Sequence, residues 1–115
     1  MKDFCIIGSG ISGATIAKAL SKKFSLDVYD KARGAGGRSS NKKLNKNESF
    51  DHGVQYISPK SKIFTKIIQK LLKRKILKTW NGNHLDFTFE KKTLNPKYIG
   101  VKANNALSKY YLKNL

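Results

Sequence analysis

Apolar positions along this chain alternate between strand-like and helical spacing, and each change of period predicts an element. Phe4-Cys5-Ile6-Ile7 is an unbroken apolar run ended by Gly8, the pattern of a central parallel strand buried on both faces. Ile11, Ala14, Ile16, Ala17 and Leu20 then recur at helical spacing, predicting a small-residue helix over 11–23 that can lie close to a sheet. Ser25-Leu26-Asp27-Val28-Tyr29 returns to strand character and stops at Asp30. Residues 31–49 are polar and punctuated by glycine, so a long loop is expected there, followed by a short strand around 54–57. Between Ser61 and Lys78, the side chains of Ile63, Phe64, Ile67, Ile68, Leu71 and Leu72 share one helical face, with Pro59 and Ser61 as start signals. Asn81-Gly82-Asn83 marks a turn, and Leu85-Asp86-Phe87-Thr88-Phe89 alternates as a half-buried strand should. Asn95-Pro96 ends that segment, and a last helix is expected over 105–114.

Composition narrows the class. The 115 residues carry 24 Lys+Arg against 7 Asp+Glu, a net charge of +17, with 39% hydrophobic and 27% charged residues, which is the range of one ordinary globular domain. Only Arg33, Arg38 and Arg74 are arginine. The surplus is therefore lysine, a point charge rather than the bidentate fork that reads bases, so no specific nucleic-acid recognition is expected. The lysines of 61–78 read as the solvated side of a core helix, or as a basic face for a membrane or an acidic partner. Cys5, the single cysteine, excludes an intramolecular disulfide and suits a reducing cytoplasm, where the chain is expected to reside. Cys5 itself reads as a small buried hydrophobe. No run approaches the roughly 18 apolar residues of a spanning helix. His52 and His84 form no ligand pattern with Cys5, so no metal site is expected.

Gly8-Ser9-Gly10-Ile11-Ser12-Gly13 is a G-x-G-x-x-G placed after a predicted strand and at the start of a predicted helix. In that setting Gly8 permits the tight turn, Gly10 lets backbone approach a pyrophosphate, and Gly13 lets helix and strand pack closely. The pyrophosphate would rest against the unpaired N–H groups of the helix start. Asp30, at the end of the second strand, stands where a carboxylate can accept from both hydroxyls of an adenosine ribose. These features predict dinucleotide binding and leave NAD(P) and FAD open. The segment Asp30-Lys31-Ala32-Arg33-Gly34-Ala35-Gly36-Gly37-Arg38 favours FAD, because a glycine pair followed by arginine brings more N–H groups and a guanidinium to the same phosphates. NAD(P) is the less favoured cofactor.

Together with Phe50-Asp51-His52-Gly53-Val54-Gln55-Tyr56-Ile57, these motifs resemble, in the same order, flavin-dependent amine-oxidase-like proteins, and most closely their renalase-like branch. The resemblance implies that Ser9, Gly10, Ile11 and Ser12 line the pyrophosphate, that Asp30 holds the ribose and Arg38 the phosphates. It places Gly53, Gln55 and Tyr56 beside the flavin ring. Many amine oxidases have Glu at the ribose position and Arg two residues later; here Asp30 and Ala32 stand there, leaving Lys31 or Arg33 as the source of that charge.

The expected fold is α/β: a Rossmann-like β-α-β FAD/NAD(P)-binding unit with its flavin-proximal motif over 1–58, then a mixed helix-strand-helix extension over 59–115 that opens a substrate portion. The resemblance places the remaining strands and the substrate-side aromatic cage beyond residue 115, so an incomplete domain is expected, inactive unless a second polypeptide completes it. The expected function is FAD-dependent oxidation of a small molecule, either an amine or a reduced nicotinamide, with oxygen or another acceptor taking the electrons. The alternative is a non-catalytic Rossmann-fold binding module whose basic face meets a membrane or an acidic partner.

Overall fold

A computed structural model describes residues 1–83, 88, 95–113 and 115. Strand β1 (Phe4–Ile7) and strand β2 (Leu26–Tyr29) pair in parallel, Phe4 opposite Leu26 and Ile7 opposite Tyr29, and helix α1 (Ile11–Leu20) is the crossover between them. The predicted β-α-β unit is present. Matching clasps close both ends of the strand pair. Before β1, the Asp3 carboxylate accepts from the Ser25 N–H and hydroxyl at 2.8 and 2.7 Å. Beyond β2, Asp30 accepts from the Ser9 N–H and hydroxyl at 2.6 and 2.5 Å. Each clasp ties the approach or exit of one strand to the other, so the register is held by polar contacts as well as by the ladder.

β1 is not buried on both faces. Ile7 is 88% exposed, and Phe4 and Cys5 are exposed as well. Ile6 points at α1, its Cγ2 lying 3.5 Å from where a side chain on Gly13 would begin. Cys5 and Ile7 alternate to the other face, which no described element covers, so Cys5 carries an exposed thiol rather than acting as a core filler. An apolar run specifies a strand without specifying what lies over it.

Residues 31–49 are more ordered than a loop. After a 3₁₀ turn at Gly37–Ser39, strand β3 (Asn41–Lys43) and strand β4 (Ser49–Asp51) form an antiparallel hairpin with Asn41 opposite Asp51. Its turn is closed by Asn45, whose side-chain oxygen accepts from the N–H groups of Asn47 and Glu48, both at 2.9 Å. Five of its six strand residues are polar and Phe50 is the lone apolar one, so it leaves no period-2 hydrophobic trace. The strand expected at 54–57 does not form; Ile57 makes a single antiparallel bridge with Tyr98, exchanging bonds of 2.7 and 2.9 Å.

Helix α2 (Lys62–Lys73) starts where predicted, with the Ser61 hydroxyl accepting from the Phe64 N–H at 3.1 Å. It buries Ile68 and Leu71, while Lys62, Lys66, Lys70 and Lys73 stay exposed. Ile63, expected on the apolar face, is 76% exposed in the first turn. The helix stops at Lys73 rather than Lys78 because the chain turns left-handed at Lys75, φ 57°. The Lys75 N–H returns to the Leu72 carbonyl at 2.9 Å and the Ile76 N–H to Leu71 at 3.0 Å, which is a Schellman closure. Strand β5 (Leu77–Thr79) follows and pairs antiparallel with strand β6 (Tyr98–Gly100). The chain ends in helix α3 (Ala106–Leu112), which packs on α1. Ile57, Ile68, Leu71, Leu77 and Leu107 form the buried core. The apolar face of α2 thus serves this core. His84 and the strand expected over 85–89 lie, but for Thr88, outside the described residues.

Lysine at the left-handed position of the α2 closure carries a Cβ penalty that glycine lacks. Lys75→Gly is expected to raise unfolding free energy by about 0.5–1 kcal/mol, read as a higher urea midpoint at unchanged slope. A lower midpoint would show that the lysine side chain contributes more than its backbone conformation costs.

Candidate dinucleotide-binding site

The first glycine loop is built from strand end to helix start. Gly8, at φ 101°, donates its N–H to the Tyr29 carbonyl at 2.7 Å and turns the chain away from β1. A side chain on Gly13 would collide with the Gly8 carbonyl, so glycine there is what lets α1 sit down on the turn. The Ala14 N–H closes the first helical turn on the Gly10 carbonyl at 2.9 Å. The N–H groups of Ile11, Ser12 and Gly13 precede that bond. Gly10 supplies no side-chain cap and no acidic residue occupies the first turn, so the positive end of α1 is left to an anion.

The second glycine segment docks on the first. Gly10 and Gly36 pair as a parallel bridge, and the Gly36 N–H donates to the Ser9 carbonyl at 3.1 Å. Gly36 and Gly37 have φ of 137° and 54°, and a side chain on Gly37 would begin 3.2 Å from Gly10 Cα. The Gly8–Gly13 loop, the Gly36–Ser39 turn and Val54 line one cavity of about 500 Å³. Arg38 is on its wall with an exposed side chain, and its carbonyl accepts from the Val54 N–H at 2.9 Å. Gly53 fits only as glycine, because a side chain would strike that same carbonyl. An adjoining cavity of about 450 Å³ lies between Arg38, Ser40, His52 and Gly53, with the Ser40 hydroxyl 3.1 Å from His52 Nε2.

Asp30 lines a third cavity, about 440 Å³, with Ser9, Val28, Ala32–Ala35 and Leu112. Ser9 therefore faces Asp30 rather than the cavity over the helix start, where the resemblance placed it. The Ser9 hydroxyl foremost, then the Ala32 and Ser9 N–H groups, hold the Asp30 carboxyl down to about 2. A carboxylate offers about four acceptor sites, and three are taken: two at Oδ2 by Ser9 and one at Oδ1 by Ala32, at 2.8 Å. The open site is at Oδ1. Lys31 is exposed and lines none of these cavities. Gln55 and Tyr56 line none of them either. The Tyr56 ring stacks on Trp80 with centroids 5.6 Å apart and planes 14° apart, under the Lys97 ammonium at 3.8 Å.

Sequence reasoning missed Asn104 and Asn105. The buried Asn104 side chain donates to the Val54 and Gln55 carbonyls and accepts from the Gly100 N–H, while its backbone N–H bonds Asp51. Asn105 donates to the Ala35 carbonyl at 3.2 Å. An asparagine pair before a helical run is a recognisable start signal, but nothing local indicates partners some fifty to seventy residues away.

A family model of NAD(P)-binding Rossmann-like domains matches residues 6–71. This chain belongs to that family. Among solved structures it is similar to putrescine oxidase. A double mutant from a redesign of that protein's cofactor binding aligns at 26% identity and TM-score 0.55, over 82% of this chain and 21% of the other. The wild type bound to putrescine aligns at 25% identity and TM-score 0.54, again over 82% and 21%. This Rossmann-like chain thus spans about a fifth of the length of the putrescine oxidases it matches. No helix among the described residues is long and apolar enough to cross a membrane.

The Asp30 clasp makes stability depend on acid. Its carboxyl titrates lower in the folded chain than the ordinary 3.8, so its contribution is present above that value and is lost as pH falls from there toward about 2. The Asp3 carboxyl, lowered by the Ser25 hydroxyl and N–H, adds loss of the same sign. Denaturation midpoints measured from pH 5 down to 2 are expected to fall less steeply for Asp30→Asn than for wild type. Identical slopes would mean that the clasp does not form in solution.

Proposed function

We propose that this chain forms the FAD-binding part of a flavin-dependent oxidoreductase of the amine-oxidase type. One observation carries the reading: Gly36–Arg38 docks on Gly10, so two glycine segments and an arginine face the same cavity over the open end of α1. A pyrophosphate placed there would accept from backbone N–H groups of α1 and from the Arg38 guanidinium. The ribose would meet Asp30 at Oδ1, in the cavity that Val28 and Leu112 wall with apolar groups suited to adenine. The isoalloxazine would extend toward Gly53 and Val54, where the bare backbone leaves room for a flat ring. Gln55 and Tyr56 follow that segment in the chain but line none of the three cavities.

Bound FAD would supply the redox step, taking a hydride from the substrate and passing the electrons to an acceptor such as oxygen. Similarity to a putrescine oxidase that binds putrescine favours a small amine as hydride donor. The Asp51-His52-Gly53-Val54-Gln55-Tyr56 pattern favours the other reading, a renalase-like oxidation of a reduced nicotinamide. In this proposal residues 1–58 hold the cofactor and 59–115 begin the substrate side.

Titrating the chain with FAD is expected to quench flavin fluorescence and sharpen its visible bands. Arg38→Ala should raise the dissociation constant about tenfold to a hundredfold, the loss of one charge-assisted contact of roughly 1.5–3 kcal/mol. Binding of NADPH in preference to FAD would overturn the flavin assignment. An unchanged FAD affinity in Arg38→Ala would remove the guanidinium from the phosphate site.

A further inference from the structure

The cofactor cradle is held in shape from outside the family match. Asn104 and Asn105 lie at the head of α3, beyond residue 71, and both are buried. Asn105 occupies the N-cap position of α3, where an asparagine side chain ordinarily accepts from its own helix. Here it makes no such cap and donates instead to Ala35, immediately before the glycine pair. Its Cβ also lies 2.8 Å from where a side chain on Gly36 would begin, so Gly36 is pressed between Asn105 and the Ser40 backbone. Asn104 does the same for the other loop. Its amide spans the Val54 and Gln55 carbonyls at 2.6 and 3.1 Å, and its oxygen receives the Gly100 N–H at 3.0 Å.

We infer that Asn104 and Asn105 are positioning residues for the dinucleotide site, setting the gap between the Gly36–Arg38 turn and the Gly53–Gln55 segment. Both loops present backbone to the cavity and carry few side-chain anchors of their own. Without the two asparagines, the Ala35, Val54 and Gln55 carbonyls would have to find water, and the turn would be free to lift off Gly10. The head of α3 therefore acts on the cofactor through the two loops, apart from the wall that Leu112 gives the Asp30 cavity at the helix's other end. This inference rests on the dinucleotide reading for its ligand, but the geometry it asserts exists without one.

The test uses the full chain. Asn105→Ala keeps the Cβ that packs on Gly36 and removes only the bond to Ala35. Amide hydrogen exchange in the absence of cofactor is expected to speed up at least about fivefold at Gly36, whose N–H binds Ser9, and to stay unchanged at Gly8. In the same variant FAD affinity should fall about threefold to tenfold, with a weaker visible dichroism of the bound flavin. Asn104→Asp, which keeps shape but loses the donor to two carbonyls, should speed exchange at Val54. Unchanged exchange at Gly36 and Val54 in both variants would overturn the inference. Faster exchange with unaltered FAD affinity would reduce the asparagines to a structural role and overturn it equally. A wild-type chain that takes up no FAD would count against the proposed function, while the exchange comparison would still decide the clamp.

Discussion

Gly10 and Gly36 meet backbone to backbone, and most of the site follows from that approach. A parallel bridge joins them, and a Cβ on Gly37 would begin only 3.2 Å from Gly10 Cα. The second segment passes through left-handed conformations at Gly36 and Gly37, which favour glycine there. The contact also fixes where Arg38 emerges. The result is a cavity wall made largely of main chain, in which N–H groups rather than side chains face a ligand. Such a wall suits an anion, because its donors are pre-aimed and lose no rotamer freedom on binding.

The two Asp–Ser clasps show how a two-stranded parallel sheet can keep its register. Parallel pairs have no hairpin to align them, and here the ladder is four residues long. Asp3 with Ser25 and Asp30 with Ser9 bracket the ladder, each carboxylate taking both donors of one serine. The clasp at Asp30 spends acceptor capacity that a ribose would otherwise use. In the proposed site, fold maintenance and ribose recognition would share one carboxylate, with Ser9 as the competitor.

The β-α-β unit and the glycine loop were legible because their signals are local. An apolar run, a helical repeat and a glycine spacing each describe neighbouring residues, and Phe4–Tyr29 folds as those patterns direct. Burial was not legible in the same way: Cys5 and Ile7 are as apolar as a core strand requires, yet their face is open. The β3–β4 hairpin escaped because Phe50 is the single apolar residue in its strands, and its only local sign is the Asn45 turn. The end of α2 escaped for the opposite reason. Ile76 and Leu77 continue the apolar periodicity, and only the left-handed Lys75 diverts them into a strand. Asp30 was found as a candidate, but its bond to Ser9 depends on where two loops meet in space.

Contacts of the later elements explain why the site cannot be reduced to the glycine-rich first half. Leu107 of α3 shares the core with Ile57, Ile68 and Leu71, and α3 also packs on α1, the helix whose open end faces the cavity. Asn104 and Asn105 then reach from the head of α3 to the two loops that complete the cavity. Any ligand that binds only the closed arrangement of these loops must stabilise the seating of α3 by the same free energy. The reverse also holds, so changes in the α3 core that leave every glycine untouched would alter how tightly the cavity holds such a ligand.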